Sequence, residues 1–166
     1  AQLRLLAQEV GERRLLRQAV AMGALVRSLY SPTTVDLDWI ETPVKMSRDD
    51  GDYGQLLGWG RIYAAAAAEQ AYSYFRPDVA DALYTLAVRF YQAAGAQLEA
   101  SQTIERWTEV LQATGAPSRA RSLLKQGTAA LDASAKSCGA KPFPPGVLFV
   151  QRGGLLADRC SLASEL

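Results

Sequence analysis

Residues 61–75 read Arg61-Ile62-Tyr63-Ala64-Ala65-Ala66-Ala67-Ala68-Glu69-Gln70-Ala71-Tyr72-Ser73-Tyr74-Phe75: five consecutive alanines, then an aromatic cluster. Alanine has the highest helix propensity and buries little side chain, so the run favours a helix that a neighbour can approach closely. Followed outward, the pattern predicts a helix over 53–76. Its polar residues are few: Gln55, Arg61, Glu69, Gln70 and Ser73. A helix apolar nearly all round is expected to be covered on most sides. Tyr53, Leu56, Gly60, Tyr63, Ala67, Ala71 and Tyr74 fall on one face, and Gly60, Ala64, Ala68 and Ala71 supply small side chains at about one-turn intervals, with Ala67 in the same tightly packing set. This glycine–alanine ridge is the expected seam for a crossing helix, with the tyrosines filling the wider ends. The segment is long enough for a membrane span. However, Arg61 and Glu69 would lie deep in hydrocarbon, at roughly 2.5–3.5 kcal/mol each, with little offset from alanine. No span is expected.

Downstream, Arg76-Pro77-Asp78 marks a break, with Asp78 a suitable N-cap. Val79, Leu83, Leu86, Phe90, Ala94 and Leu98 then form a helical stripe that continues through Ile104, Trp107 and Leu111 to Gly115. Unbroken, it would run about 37 residues and about 55 Å, outreaching its neighbours, so a bend or break is expected near Ser101. Pro117 suits the first turn of a further helix striped by Ala120, Leu124, Gly127, Leu131 and Ala135, with Gly139 as its stop.

Upstream, residues 2–30 read as a helix. Leu15, Ala19, Met22, Val26 and Leu29 recur at spacings of four, three, four and three. The earlier stripe of Leu3, Leu6 and Val10 falls out of register across Gly11, where a bend is expected, and Pro32 ends the helix. Between the first two helices, Val35-Asp36-Leu37-Asp38-Trp39 alternates apolar and acidic, and Pro43 follows. That alternation predicts an extended linker over 31–52. It holds six acids (Asp36, Asp38, Glu41, Asp49, Asp50, Asp52) against Lys45 and Arg48, a net of −4. The first helix holds five arginines against Glu9 and Glu12, a net of +3. Either these two segments attract each other or each meets a different partner.

The expected fold is therefore all-α: an antiparallel four-helix bundle over 1–139 with the acidic linker 31–52 strapped along it. A C-terminal tail over 140–166 follows, packed on the bundle or on a partner. The tail contains the extended apolar strip "KPFPPGVLFV" (141–150), with a short helical turn expected from about Leu155.

Composition narrows the chemistry. The 166 residues suffice for one domain with a real core, and 49% hydrophobic content argues against disorder. A net charge of +1 offers no basic field for nucleic acid. The absence of histidine removes the commonest acid–base catalyst and metal ligand. No glycine-rich phosphate loop occurs. Asp49-Asp50-Gly51-Asp52 fails as a calcium loop, because counting from Asp50 puts Leu56 and Arg61 where ligands are required. No cofactor or metal site is expected, and no enzyme. The two cysteines, Cys138 and Cys160, flank the Pro/Gly-rich tail. They read either as a disulfide closing a loop of about 22 residues in an oxidising compartment, or as two reduced small hydrophobes. The opening Ala1-Gln2 suits a residue pair left after cleavage of a targeting segment, which points to an organelle or extracytoplasmic compartment.

Two functional expectations follow. The first is a non-catalytic structural or accessory subunit of a multiprotein assembly, acting on other protein subunits and peripheral to a membrane complex if near one at all. Its candidate partner contacts are Trp39 and Phe143, aromatics on irregular segments, with Arg13, Arg14 and Arg17 docking an acidic partner. The second is a small-ligand or pigment-binding bundle built on the tyrosine-rich helix ends.

Overall fold

The computed structural model describes residues 13–31, 36–139, 143, 149 and 151–156. These are all-α, with no strand among the described residues. Among the described residues six helices follow in order: α1 (Arg13–Tyr30), α2 (Asp38–Asp49), α3 (Tyr53–Tyr72), α4 (Pro77–Ala93), α5 (Gln97–Ala113) and α6 (Pro117–Ser137), with a further helical turn over 151–156. Contacts gather the chain into two units, 1–94 and 95–166. The bundle expected over 1–139 thus crosses a division at Gly95.

In the first unit, α3 and α4 form the central hairpin. Asp52 caps α3, its carboxylate accepting from the Gln55 amide at 3.1 Å. Pro77 opens α4 at its first turn, where the missing N–H costs nothing, and Asp78 sits in that turn rather than at the cap expected for it. Tyr63, Tyr84, Phe90, Leu56, Leu83, Leu86 and Val79 are fully buried. The Tyr63 and Phe90 rings meet at 5.3 Å with a tilt, and Trp59 meets Tyr63 edge-on at 6.3 Å.

The expected extended linker is overturned: α2 occupies Asp38–Asp49 inside it. The period-two signal spans only 35–39. After it, Ile40, Val44 and Ser47 recur at four and three, and all three are buried with Pro43. Asp38 and Glu41 favour the positive end of the helix, and the Asp36 carboxylate accepts from the Asp38 amide at 2.9 Å. Burial of one face and a favourable first turn outweigh the hydrogen bond that Pro43 cannot donate.

The second unit is the α5–α6 hairpin with residues 143, 149 and 151–156. The break expected near Ser101 falls earlier. Gly95 adopts φ +71°, a left-handed conformation that glycine takes without strain, and Ser101 lies inside α5, its hydroxyl donating to the Gln97 carbonyl. Gly115 and Gly139 end α5 and α6 in the same way, as the glycine and proline signals imply. Leu131, Ala135 and Leu156 form a core cluster with Phe143 and Phe149 against it. Gly127 lies under Phe149, where a Cβ would stand 2.7 Å from the ring. The helical residues 151–156 begin earlier than the turn expected from about Leu155. The expected bend at Gly11, the stop at Pro32 and most of the 140–166 tail lie outside the described residues.

Candidate interaction surface

Helix α1 carries two stripes, and the unit buries the less apolar one. Its buried residues are Arg17, Ala21, Ala24 and Ser28, spaced four, three and four. At 100° per residue this stripe lies about 150° from the centre of the Leu15–Ala19–Met22–Val26–Leu29 stripe. Leu15, Met22 and Val26 consequently remain 45%, 46% and 46% exposed.

Specific polar anchors explain the choice. Arg17 has a side chain only 5% exposed, and its guanidinium pairs with Asp50 and with Asp52, the latter at 3.0 Å. It also donates to the Met46 carbonyl at 3.4 Å. Arg13 adds a second pair to Asp50 at 3.1 Å. Of the two alternatives for the basic first helix and the acidic segment, attraction or separate partners, these ion pairs make the attraction, at the C-terminal end of the segment. One turn beyond Arg17, the Tyr63 hydroxyl donates to the Ala21 carbonyl at 2.6 Å, and Arg76 donates to the Leu29 carbonyl at 2.9 Å near the end of α1. Burial pushes the Tyr63 hydroxyl far above the usual phenol range, against a smaller opposing backbone hydrogen bond at Leu25, so it stays a neutral donor. Ala21 and Ala24 are small enough for this face to lie close.

The N-terminal part of this exposed stripe, through Met22, forms one wall of an open groove of about 910 Å³, and α3 forms the other. Leu15, Ala19 and Met22 face Trp59 and Ile62 across it, with Gly54 and Gly58 along its α3 side and Arg14 at its edge. Ile62 is 46% exposed. Helix α3, expected to be covered on most sides, therefore buries one stripe (Leu56, Trp59, Gly60, Tyr63, Ala67, Gln70) and leaves an apolar side open.

The anticipated site residues separate. Gly60 lies against the Tyr91 ring of α4, and Ala67 is fully buried, so the small-residue seam is occupied within the unit. Ala64, Ala68 and Ala71 are half-buried beside it. Of the three arginines, Arg17 is internal, Arg13 is tied to Asp50, and Arg14 is exposed on the groove. Trp39 lies on α2, half-buried, with the Arg27 guanidinium 5.6 Å from its ring centre. Phe143 packs inside the second unit, with Arg152 5.7 Å from its ring. Cys138 caps the C-terminus of α6, and Cys160 lies outside the described residues. The tyrosines do not converge on the groove. Tyr63 and Tyr84 are core, while Tyr53, Tyr72 and Tyr74 are exposed. A second, polar depression of about 370 Å³ is bordered by Lys45, Arg48 and Asp49 and by the bidentate Arg89–Glu41 pair, at 2.8 and 3.0 Å. Ile62 was missed as a site residue because its neighbours made the whole helix look buried.

Among the described residues, no helix is long and apolar enough to cross a membrane. The chain matches no protein-family model and shows no significant similarity to a curated protein or to a solved structure.

Proposed function

We propose that the chain is a non-catalytic structural or accessory subunit of a larger protein assembly, acting through contacts with other protein subunits. The observation that carries this reading is the α1 stripe. Leu15, Met22 and Val26 face away from the face that α1 packs, the first two onto an open groove shared with α3. A helix that buries arginine, alanine and serine while leaving leucine, methionine and valine in water keeps its hydrophobic surface for something else. The near-neutral net charge of +1 favours protein over nucleic acid as that partner. The Cys138–Cys160 disulfide belongs to the same reading, as a staple on the tail.

The test is photo-cross-linking in the native source. A photoreactive residue at Met22 or Ile62 should join the chain to a defined protein, whereas one at exposed Gln112 on α5 should not. Equal, indiscriminate labelling from all three positions would sink the reading.

A second reading is binding of a flat apolar ligand or pigment. The groove volume falls within the range of small-molecule sites, and Trp59, Met22 and Ile62 are suitable walls. It stands second because the groove lies open along two helices and holds no tyrosine. Native mass spectrometry showing only bare protein would remove it.

A further inference from the structure

We infer that the groove between α1 and α3 seats an amphipathic helix from a partner protein, one whose apolar seam is flanked by acidic side chains. This rests on the accessory-subunit reading above and names the chemistry of the partner.

The shape argues for a helix. Leu15, Ala19, Met22, Val26 and Leu29 keep a strict four-three alternation, the a/d pattern by which one helix packs knobs into the holes of another. The positions beside that seam (Leu16, Gln18, Gly23, Leu25 and Tyr30) carry no charge, so nothing on α1 repels an apolar partner edge. Across the groove, a Cβ added at Gly58 on the α3 wall would meet nothing within 4 Å. Space therefore exists on the α3 wall for a helix backbone to come close.

The charge argues for acid on that helix. Helix α1 carries Arg13, Arg14, Arg17 and Arg27 and no acidic residue. Arg13 and Arg17 are engaged by Asp50 and Asp52, and Arg27 lies over Trp39. Arg14 on the groove edge is exposed and pairs with no acid among the described residues; Arg61, next to Ile62 in sequence and also exposed and unpaired there, lies outside the lining. Asp52, the acid on the lining, is answered by Arg17. Glu69 lies about two turns beyond Ile62 along α3. The unmatched charge at the groove is thus positive. A second copy seated through its own α1 would bring no acid to Arg14, because that helix has none.

The probe is a dye-labelled synthetic helix of three heptads with leucine at a and d and glutamate at e and g, titrated with the full chain and read by fluorescence anisotropy. Its counterpart has lysine at e and g. The glutamate helix should bind about tenfold more tightly than the lysine helix, and Met22→Glu or Ile62→Glu should each weaken it about tenfold. Arg14→Gln should shrink the glutamate–lysine difference, as should added salt. Urea midpoints of the variants certify that they fold. Binding of neither helix, equal binding of both, or binding unaffected by Met22→Glu overturns the inference. So does sedimentation of the chain as a dimer that Met22→Glu dissolves, which would make a second copy the occupant. If the probe fails while Met22 and Ile62 still cross-link to a protein in the native source, the acidic-helix inference falls and the subunit reading stands. If the cross-links fail too, both fall.

Discussion

The Tyr91 ring of α4 lies so close to Gly60 of α3 that a Cβ at position 60 would stand 2.7 Å from two of its carbons. Both residues are buried, so the ring has no open side to move into. Gly60→Ala should therefore destabilise the chain by about 1–3 kcal/mol through overpacking, despite the better helix propensity of alanine. Gly23→Ala on α1 meets empty space and should stabilise by about 0.5–1 kcal/mol. Urea denaturation of the two variants gives the comparison, and a stable Gly60→Ala would show that the seam is loose.

Arg17 links α1 to the turn between α2 and α3. Its side chain is 5% exposed, while those of Asp50 and Asp52 are 31% and 34% exposed. Arg17→Met should cost about 3 kcal/mol, the lower end for a broken buried pair, because both aspartates keep contact with water. Adding Asp50→Asn and Asp52→Asn should recover much of the loss, since asparagine still caps α3 at position 52. A neutral Arg17→Met in equilibrium unfolding would mean the anchor does not hold α1.

Tyr63 sets an alkaline limit. Its folded pKa lies above its unfolded value near 10, so its contribution is complete below about pH 10 and is lost as pH rises further, the unfolded chain releasing the proton first. Stability should fall by about 1.4 kcal/mol per pH unit from this group above pH 10. Tyr63→Phe should flatten that part of the profile while costing stability at pH 8 through the lost bond to Ala21. Parallel slopes in urea midpoints from pH 8 to 11 would refute the assignment.

The exposed stripe should be dispensable for folding. Met22→Glu and Val26→Glu should each change stability by less than about 0.5 kcal/mol in the isolated chain. A loss of several kcal/mol would mean that the stripe is covered within the chain itself.

The proposed Cys138–Cys160 pair should be visible as a mass increase of two hydrogens on reduction. Closing a loop of about 22 residues, it should contribute about 3 kcal/mol, lost in Cys138→Ser. A thiol titration finding both cysteines free in protein from its native source would remove it.

Local chemistry alone determined a good part of this molecule. Alanine-rich α3, Pro77 and Pro117 at helix starts, Gly115 and Gly139 at helix ends, and the small-residue seam at Gly60 all follow from propensity and backbone freedom, which neighbouring residues settle among themselves. The groove was not legible in this way. Periodicity shows that Leu15, Met22 and Val26 share a face of α1, and the ordinary inference is that such a face is core. The tertiary structure turned that helix over, because Arg17 finds Asp50 and Asp52, Ala21 receives the Tyr63 hydroxyl, and the small residues between them allow close approach. Likewise α2 forms although a period-two run leads into it, because Ile40, Val44 and Ser47 find a surface to cover them. Which of two helix faces is buried depends on what the rest of the chain offers each one, and those partners lie some 30 to 40 residues away in sequence.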